Sequence, residues 1–171
     1  MVSSPVFLLT VGMLAISDAA PPKPPTFLEL IEHGRRENID ALNLWNDLPL
    51  TGKADLMETN KIFDQILKDE QGDHYYPLKK ALRHELRALK EKKKCKSLSK
   101  KEKRDETACK VASSKISVSL VRIVAAIRET VPEQNWKDRI DKIVKKAFVI
   151  ADGNLEKAAR FIGKTILSMP E

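Results

Sequence analysis

The sequence is poor in the residues that catalytic and metal centres commonly use. Its 171 residues include two cysteines and three histidines, and His33, His74 and His84 lack the close spacing of metal ligands. No serine, cysteine or lysine stands in a recognisable activating context for nucleophilic catalysis. We therefore expect a protein that is not an enzyme and that requires neither a metal ion nor a cofactor.

Long apolar segments are also absent. A short apolar run at residues 6–16, followed by small residues, predicts a secretory signal peptide over residues 1–19. No later stretch reaches the roughly 20 apolar residues that span a bilayer, so we expect a secreted, extracellular protein without a transmembrane anchor. The remaining chain is divided into a Pro-rich N-terminal arm at residues 20–26 and a single helical domain at residues 27–171.

Signals for β-strands are missing as well. Glycine occurs only six times and no segment alternates apolar and polar residues over a sustained length. Apolar residues instead recur at helical spacing, and Thr26 with Glu29 forms the pattern of a capping box at a helix start. Gly34 is predicted to end this first helix, and Pro49 a second one. These patterns predict an all-α fold, a compact bundle of about six or seven helices.

The two cysteines are placed to connect two of these helices. Cys95 follows a helix with a leucine stripe, and Cys109 lies about three turns into a long helix. Because oxidising compartments favour disulfides, we predict that the two are bonded and close a helical hairpin. In the chain-entropy model, closing the 15-residue loop from Cys95 to Cys109 stabilises the fold by about 3 kcal/mol.

Positive charge is concentrated in the same hairpin. The formal net charge of the chain is +7, yet residues 79–110 alone hold 14 Lys and Arg against five Asp and Glu. Five of these cations, stepping by three or four residues from Lys79 to Lys94, are predicted to share one helix face. The candidate polyanion-binding residues are Lys79, Arg83, Arg87, Lys90, Lys92, Lys93, Lys94, Lys96, Lys100, Lys101, Lys103 and Arg104.

This imbalance of charge favours a function in binding. Clustered cations on an extracellular surface attract a sulfated glycan, an anionic lipid surface or an acidic extracellular protein. Lysine outnumbers arginine and no aromatic residue is interleaved, so we do not expect specific binding of intracellular nucleic acid. The sequence thus predicts a monomeric, secreted, non-catalytic binding or effector protein that acts through its basic hairpin.

Two other functions remain open from the sequence. The helices could enclose an apolar cavity, which would make the protein an extracellular carrier of a fatty acid or another small apolar ligand. The pair Arg35–Arg36 follows a glycine, as in the processing sites of peptide prohormones, so the chain could also be a precursor that is cleaved there.

Overall fold

The computed structural model describes residues 23–45, 52–91 and 103–170. All regular structure within these ranges is helical, which confirms the all-α prediction and the compact bundle. The six described helices are α1 (Phe27–Leu44), α2 (Gly52–Lys68), α3 (Tyr75–Lys90), α4 (Lys103–Thr130), α5 (Gln134–Ala151) and α6 (Leu155–Ser168). The predicted signal peptide lies outside the described residues, as does the first part of the arm.

The helix start that the capping box predicted at Thr26 is confirmed, and a capping side chain also begins α6. At α1, the Glu29 amide donates to Thr26 Oγ1 at 3.1 Å, and the Thr26 amide donates to Glu29 Oε1 at 3.1 Å. At α6, the Lys157 amide donates to Asn154 Oδ1 at 3.0 Å. These bonds satisfy amides that have no partner inside the helix, and they fix where each helix begins.

The prediction that Gly34 ends the first helix is wrong, because α1 runs unbroken through it to Leu44. Gly34 is buried, and a Cβ atom built on it would lie 3.3 Å from two ring carbons of Phe63 and 3.5 Å from Ser119 Oγ. The missing side chain therefore serves close packing of α1 against α2 and α4. The two predicted N-terminal helices are one helix.

Helix α4 is the centre of the bundle. It packs against α1, α3, α5 and α6, and seven of the eight residues from Leu120 to Ile127 are buried. This agrees with the sequence, where the later half of α4 is apolar on nearly all sides and therefore needs neighbours all round. Burial of Ser113, Ser117 and Ser119 adds small side chains that let the neighbouring helices approach closely.

Helices α3 and α5 lie on different parts of the surface. The leucine stripe of α3 is buried against α2, α4 and α6, as predicted. Helix α5 packs mainly on α6 and meets α4 along a shorter line. Because α6 contacts both, it lies between α3 and α5, and each of these two helices presents its own outer face to solvent.

Candidate functional site

The outer face of α3 carries a row of exposed basic side chains, which we call the basic strip. Its members are Lys80, Arg83, Arg87 and Lys90, and each of them is exposed. Their spacing of three, four and three residues keeps them on one side of the helix, over a length of roughly 15 Å. Tyr76, four residues before Lys80 and 59% exposed, extends the same row towards the N-terminus of α3.

Only one member of the basic strip is held by a carboxylate within the described part of the chain. Arg87 Nη1 lies 3.2 Å from Asp55 Oδ1, and His84 Nδ1 lies 2.8 Å from the same oxygen. Lys80, Arg83 and Lys90 have no carboxylate partner among the described residues. Within the described part of the chain, no carboxylate therefore neutralises these three charges, which leaves them to act on an external anion.

Lys79, which the sequence placed in the binding set, does not lie on this exposed face. Its side chain is 5% exposed, and its Nζ atom lies 5.5 Å from the centroid of the Tyr75 ring. One residue along a helix is a rotation of about 100°, which turns Lys79 towards the leucine stripe and Lys80 towards solvent. Sequence reasoning left Lys80 out of the binding set. Its position opposite the leucine stripe was the signal that it would be exposed.

Much of the predicted binding set lies outside the described residues. Lys92, Lys93, Lys94, Lys96, Lys100 and Lys101 lie outside the described residues, as does Cys95. Lys103 and Arg104 begin α4, but their side chains are outside the described part as well. Cys109 is described and is 3% exposed, in the core between α4 and its neighbours. The structure thus brings together Arg83, Arg87 and Lys90 from the set and adds Lys80.

A buried carboxyl group lies on the inner side of the same helix. Glu85 is fully buried, and Asn38 Nδ2 donates to its Oε1 atom at 2.9 Å. Burial raises the pKa of Glu85 to about 8, although Asn38 and the hydroxyls of Ser119 and Thr59 counteract part of this effect. Glu85 Oε2 and Asn38 Oδ1 have no hydrogen-bond partner in the described part of the protein. The carboxyl group therefore lies neutral at the junction of α1, α2, α3 and α4 over most of the physiological pH range.

Sequence reasoning counted Glu85 only as one of the acids in the hairpin. A signal for its burial was present, because Glu85 stands three residues after Leu82 and four before Leu89, within the leucine stripe. The His84–Asp55 contact was not predicted either, since no pattern in the sequence relates these two distant positions.

Other polar groups of the described residues do not form a metal site. No group of three or more His, Cys, Asp or Glu within these ranges could hold a metal ion. His74 stacks on Phe27, with ring centroids 5.4 Å apart, and its Nε2 atom lies 3.2 Å from the Glu70 carbonyl oxygen.

Two further sites bear on the alternatives that the sequence left open. Arg35–Arg36 lies in the interior of α1, and Arg35 Nε donates to Asp64 Oδ1 at 2.7 Å, so a protease would have to open this helix.

Between α4 and α5 there is an apolar gap, lined in part by Val121, Val124 and Val144. Its volume of about 10 Å³ is the size of a single water molecule, so this gap does not hold a fatty acid.

None of the described helices is both long enough and apolar enough to cross a membrane. No family model, curated protein or solved structure matches the chain.

Proposed function

We propose that this protein is a secreted, non-catalytic binding protein that engages a linear polyanion through the basic strip of α3. The lysine-rich segment after α3 would extend the same contact. The observation that supports this proposal is the alignment of four exposed cations on one helix face, three of them without a carboxylate partner among the described residues.

The geometry of the basic strip favours an extended ligand. Its charges follow one another along roughly 15 Å of α3, so successive sulfates or carboxylates of a chain could each meet a cation. At physiological ionic strength, screening acts over about 8 Å, which is more than the distance between neighbouring members of the strip. The cations would therefore act together on a polyanion, and a sulfated glycan is the extracellular ligand that matches this arrangement.

The first test replaces three members of the basic strip by glutamine. Lys80→Gln, Arg83→Gln and Lys90→Gln remove the cations that have no described carboxylate partner, while Arg87 stays in its contact with Asp55. We expect this triple variant to elute from a heparin column at a clearly lower salt concentration than the wild type, because three ion contacts are lost. Circular dichroism should show an unchanged helical fold, since all three positions are exposed.

A matched control removes the same charge elsewhere. Lys68, Lys157 and Lys164 are exposed and lie on α2 and α6, and Lys68 occupies the last turn of its helix as Lys90 does. The variant with glutamine at these three positions should elute close to the wild type. Equal loss of retention in the two variants would mean that net charge alone holds the protein on the column, and the proposal would be wrong.

The disulfide between Cys95 and Cys109 is part of the same proposal, because it would fix the lysine-rich segment against α4. The burial of Cys109 supports this pairing, because a bond formed there would be shielded from solvent in the core. Intact-mass analysis of the non-reduced protein should give a monomer lighter by two hydrogens than the reduced form. Reduction should lower the free energy of unfolding by about 3 kcal/mol. Two alkylatable thiols, or a dimer linked through cysteine, would contradict the pairing.

A further inference from the structure

The outer face of α5 carries a second exposed surface, with a composition different from that of the basic strip. Between Lys142 and Ala151, the exposed residues are three lysines and two aliphatic residues. We call this surface the α5 patch, and its members are Lys142, Lys145, Lys146, Val149 and Ile150. Val149 is 77% exposed and Ile150 is 46% exposed.

The bundle does not require the apolar members of the α5 patch. Helix α5 already buries Ile140, Val144, Ala147 and Ala151 on its inner side. Val149 follows Lys142, Lys145 and Lys146 by seven, four and three residues, so the lysines lie directly beside it on the helix surface. Two exposed aliphatic side chains are thus surrounded by cations on a helix at the edge of the bundle.

The acidic residues of α5 do not neutralise this surface. Asp141 is 8% exposed and faces inward, where Arg128 Nε donates to its Oδ1 at 2.8 Å and Arg128 Nη2 to its Oδ2 at 3.1 Å. Asp138 lies one turn before the patch and accepts a hydrogen bond from Gln134 at 2.9 Å. Asp152 follows the helix as its exposed C-terminal cap. Both exposed acids therefore lie at the ends of the patch and none lies within it.

We infer that the α5 patch seats this protein on the surface of an anionic lipid bilayer. The lysines would be attracted by the negative headgroups, and Val149 and Ile150 would enter the boundary between headgroups and acyl chains. A soluble polyanion or an acidic protein surface offers the lysines the same charge but offers no acyl-chain region to the two aliphatic residues. This inference does not depend on the proposed function of the basic strip, which lies on another helix.

Sedimentation of the purified protein with lipid vesicles tests the inference. We expect binding to mixed vesicles of phosphatidylcholine and phosphatidylserine and no binding to pure phosphatidylcholine. Val149→Ser with Ile150→Ser should weaken binding to the mixed vesicles by about tenfold, although no charge changes. Glutamine at Lys142, Lys145 and Lys146 should weaken it by about 100-fold.

Two control variants separate the α5 patch from general properties of the surface. Met57→Ser with Val111→Ser removes two other exposed apolar side chains, 56% and 40% exposed, and should leave vesicle affinity unchanged. The triple variant of the basic strip should likewise sediment as the wild type does. Affinity that survives Val149→Ser with Ile150→Ser would overturn the inference, as would an absence of binding by the wild type. An equal loss in the basic-strip variant would assign the binding to net charge and would overturn it as well.

Discussion

The Glu85→Gln variant is expected to be more stable than the wild type at pH 7.5 and to show a weaker dependence of stability on pH. Burial raises the pKa of Glu85 from 4.5 to about 8. Between these two pH values, the folded protein therefore holds a proton that the unfolded chain has released. The stability that this group contributes is fully present below pH 4.5, falls as the pH rises, and is lost above about pH 8. Between these limits the free energy of unfolding falls by about 1.4 kcal/mol per pH unit, and its total change is on the order of 5 kcal/mol.

Glutamine imitates the neutral carboxyl group, because its amide oxygen can accept the hydrogen bond from Asn38 without carrying a charge into the core. Urea unfolding at a series of pH values between 4.5 and 8 measures the effect in both proteins. The two should be similar in stability near pH 4.5 and should diverge as the pH rises. Glu70→Gln, at an exposed acid in the turn before α3, should keep the slope of the wild type. Parallel pH profiles for Glu85→Gln and the wild type would show that Glu85 is ionised in the fold.

Phe63→Ala is expected to lower the free energy of unfolding by about 3–5 kcal/mol, because Phe63 is fully buried where α1 crosses α2. Gly34→Val should cost about 1–3 kcal/mol by forcing a branched side chain against the same ring. The two changes share one contact, so their costs should not add. In the Phe63→Ala background, the valine would occupy space that the ring has left, and the double variant should be more stable than the sum of the two costs predicts.

Chemical unfolding of the wild type, the two single variants and the double variant measures the coupling between Gly34 and Phe63 directly. Asn43→Val, at an exposed position of α1, serves as the control and should change stability by no more than about 0.5 kcal/mol in either background. Strict additivity of Gly34→Val and Phe63→Ala would contradict the close packing of α1 on α2 at this glycine.

Much of the fold could be predicted from local patterns, and the first helix shows where this fails. The capping box at Thr26 and Glu29 is a local signal, and the structure confirms it. Gly34 was misread because a glycine after an apolar run is typical of a helix end and also of close helix packing. Only the position of Phe63, on another helix, distinguishes the two, and periodicity within α1 contains no information about it.

The set of exposed cations on α3 could be predicted only in part from the sequence. A cluster of cations is visible in composition alone, whereas exposure depends on rotation about the helix axis. Starting the predicted row at Lys79 rather than Lys80 included a buried lysine and omitted an exposed one, although the later members of the row were unaffected. Asp55, which holds Arg87 and His84, comes from α2, and no spacing within α3 points to it.

The central claim, that the basic strip binds a linear polyanion through ion contacts, is tested most directly by the salt dependence of heparin affinity. We would measure the dissociation constant over a series of sodium chloride concentrations for the wild type, the basic-strip variant and the matched control. On a linear polyanion, each ion contact contributes about 0.7 to the slope of log affinity against log salt. The variant lacking Lys80, Arg83 and Lys90 should therefore lose about 2 from the slope of the wild type, and the control should keep it. A slope that is equal in all three proteins would contradict the account.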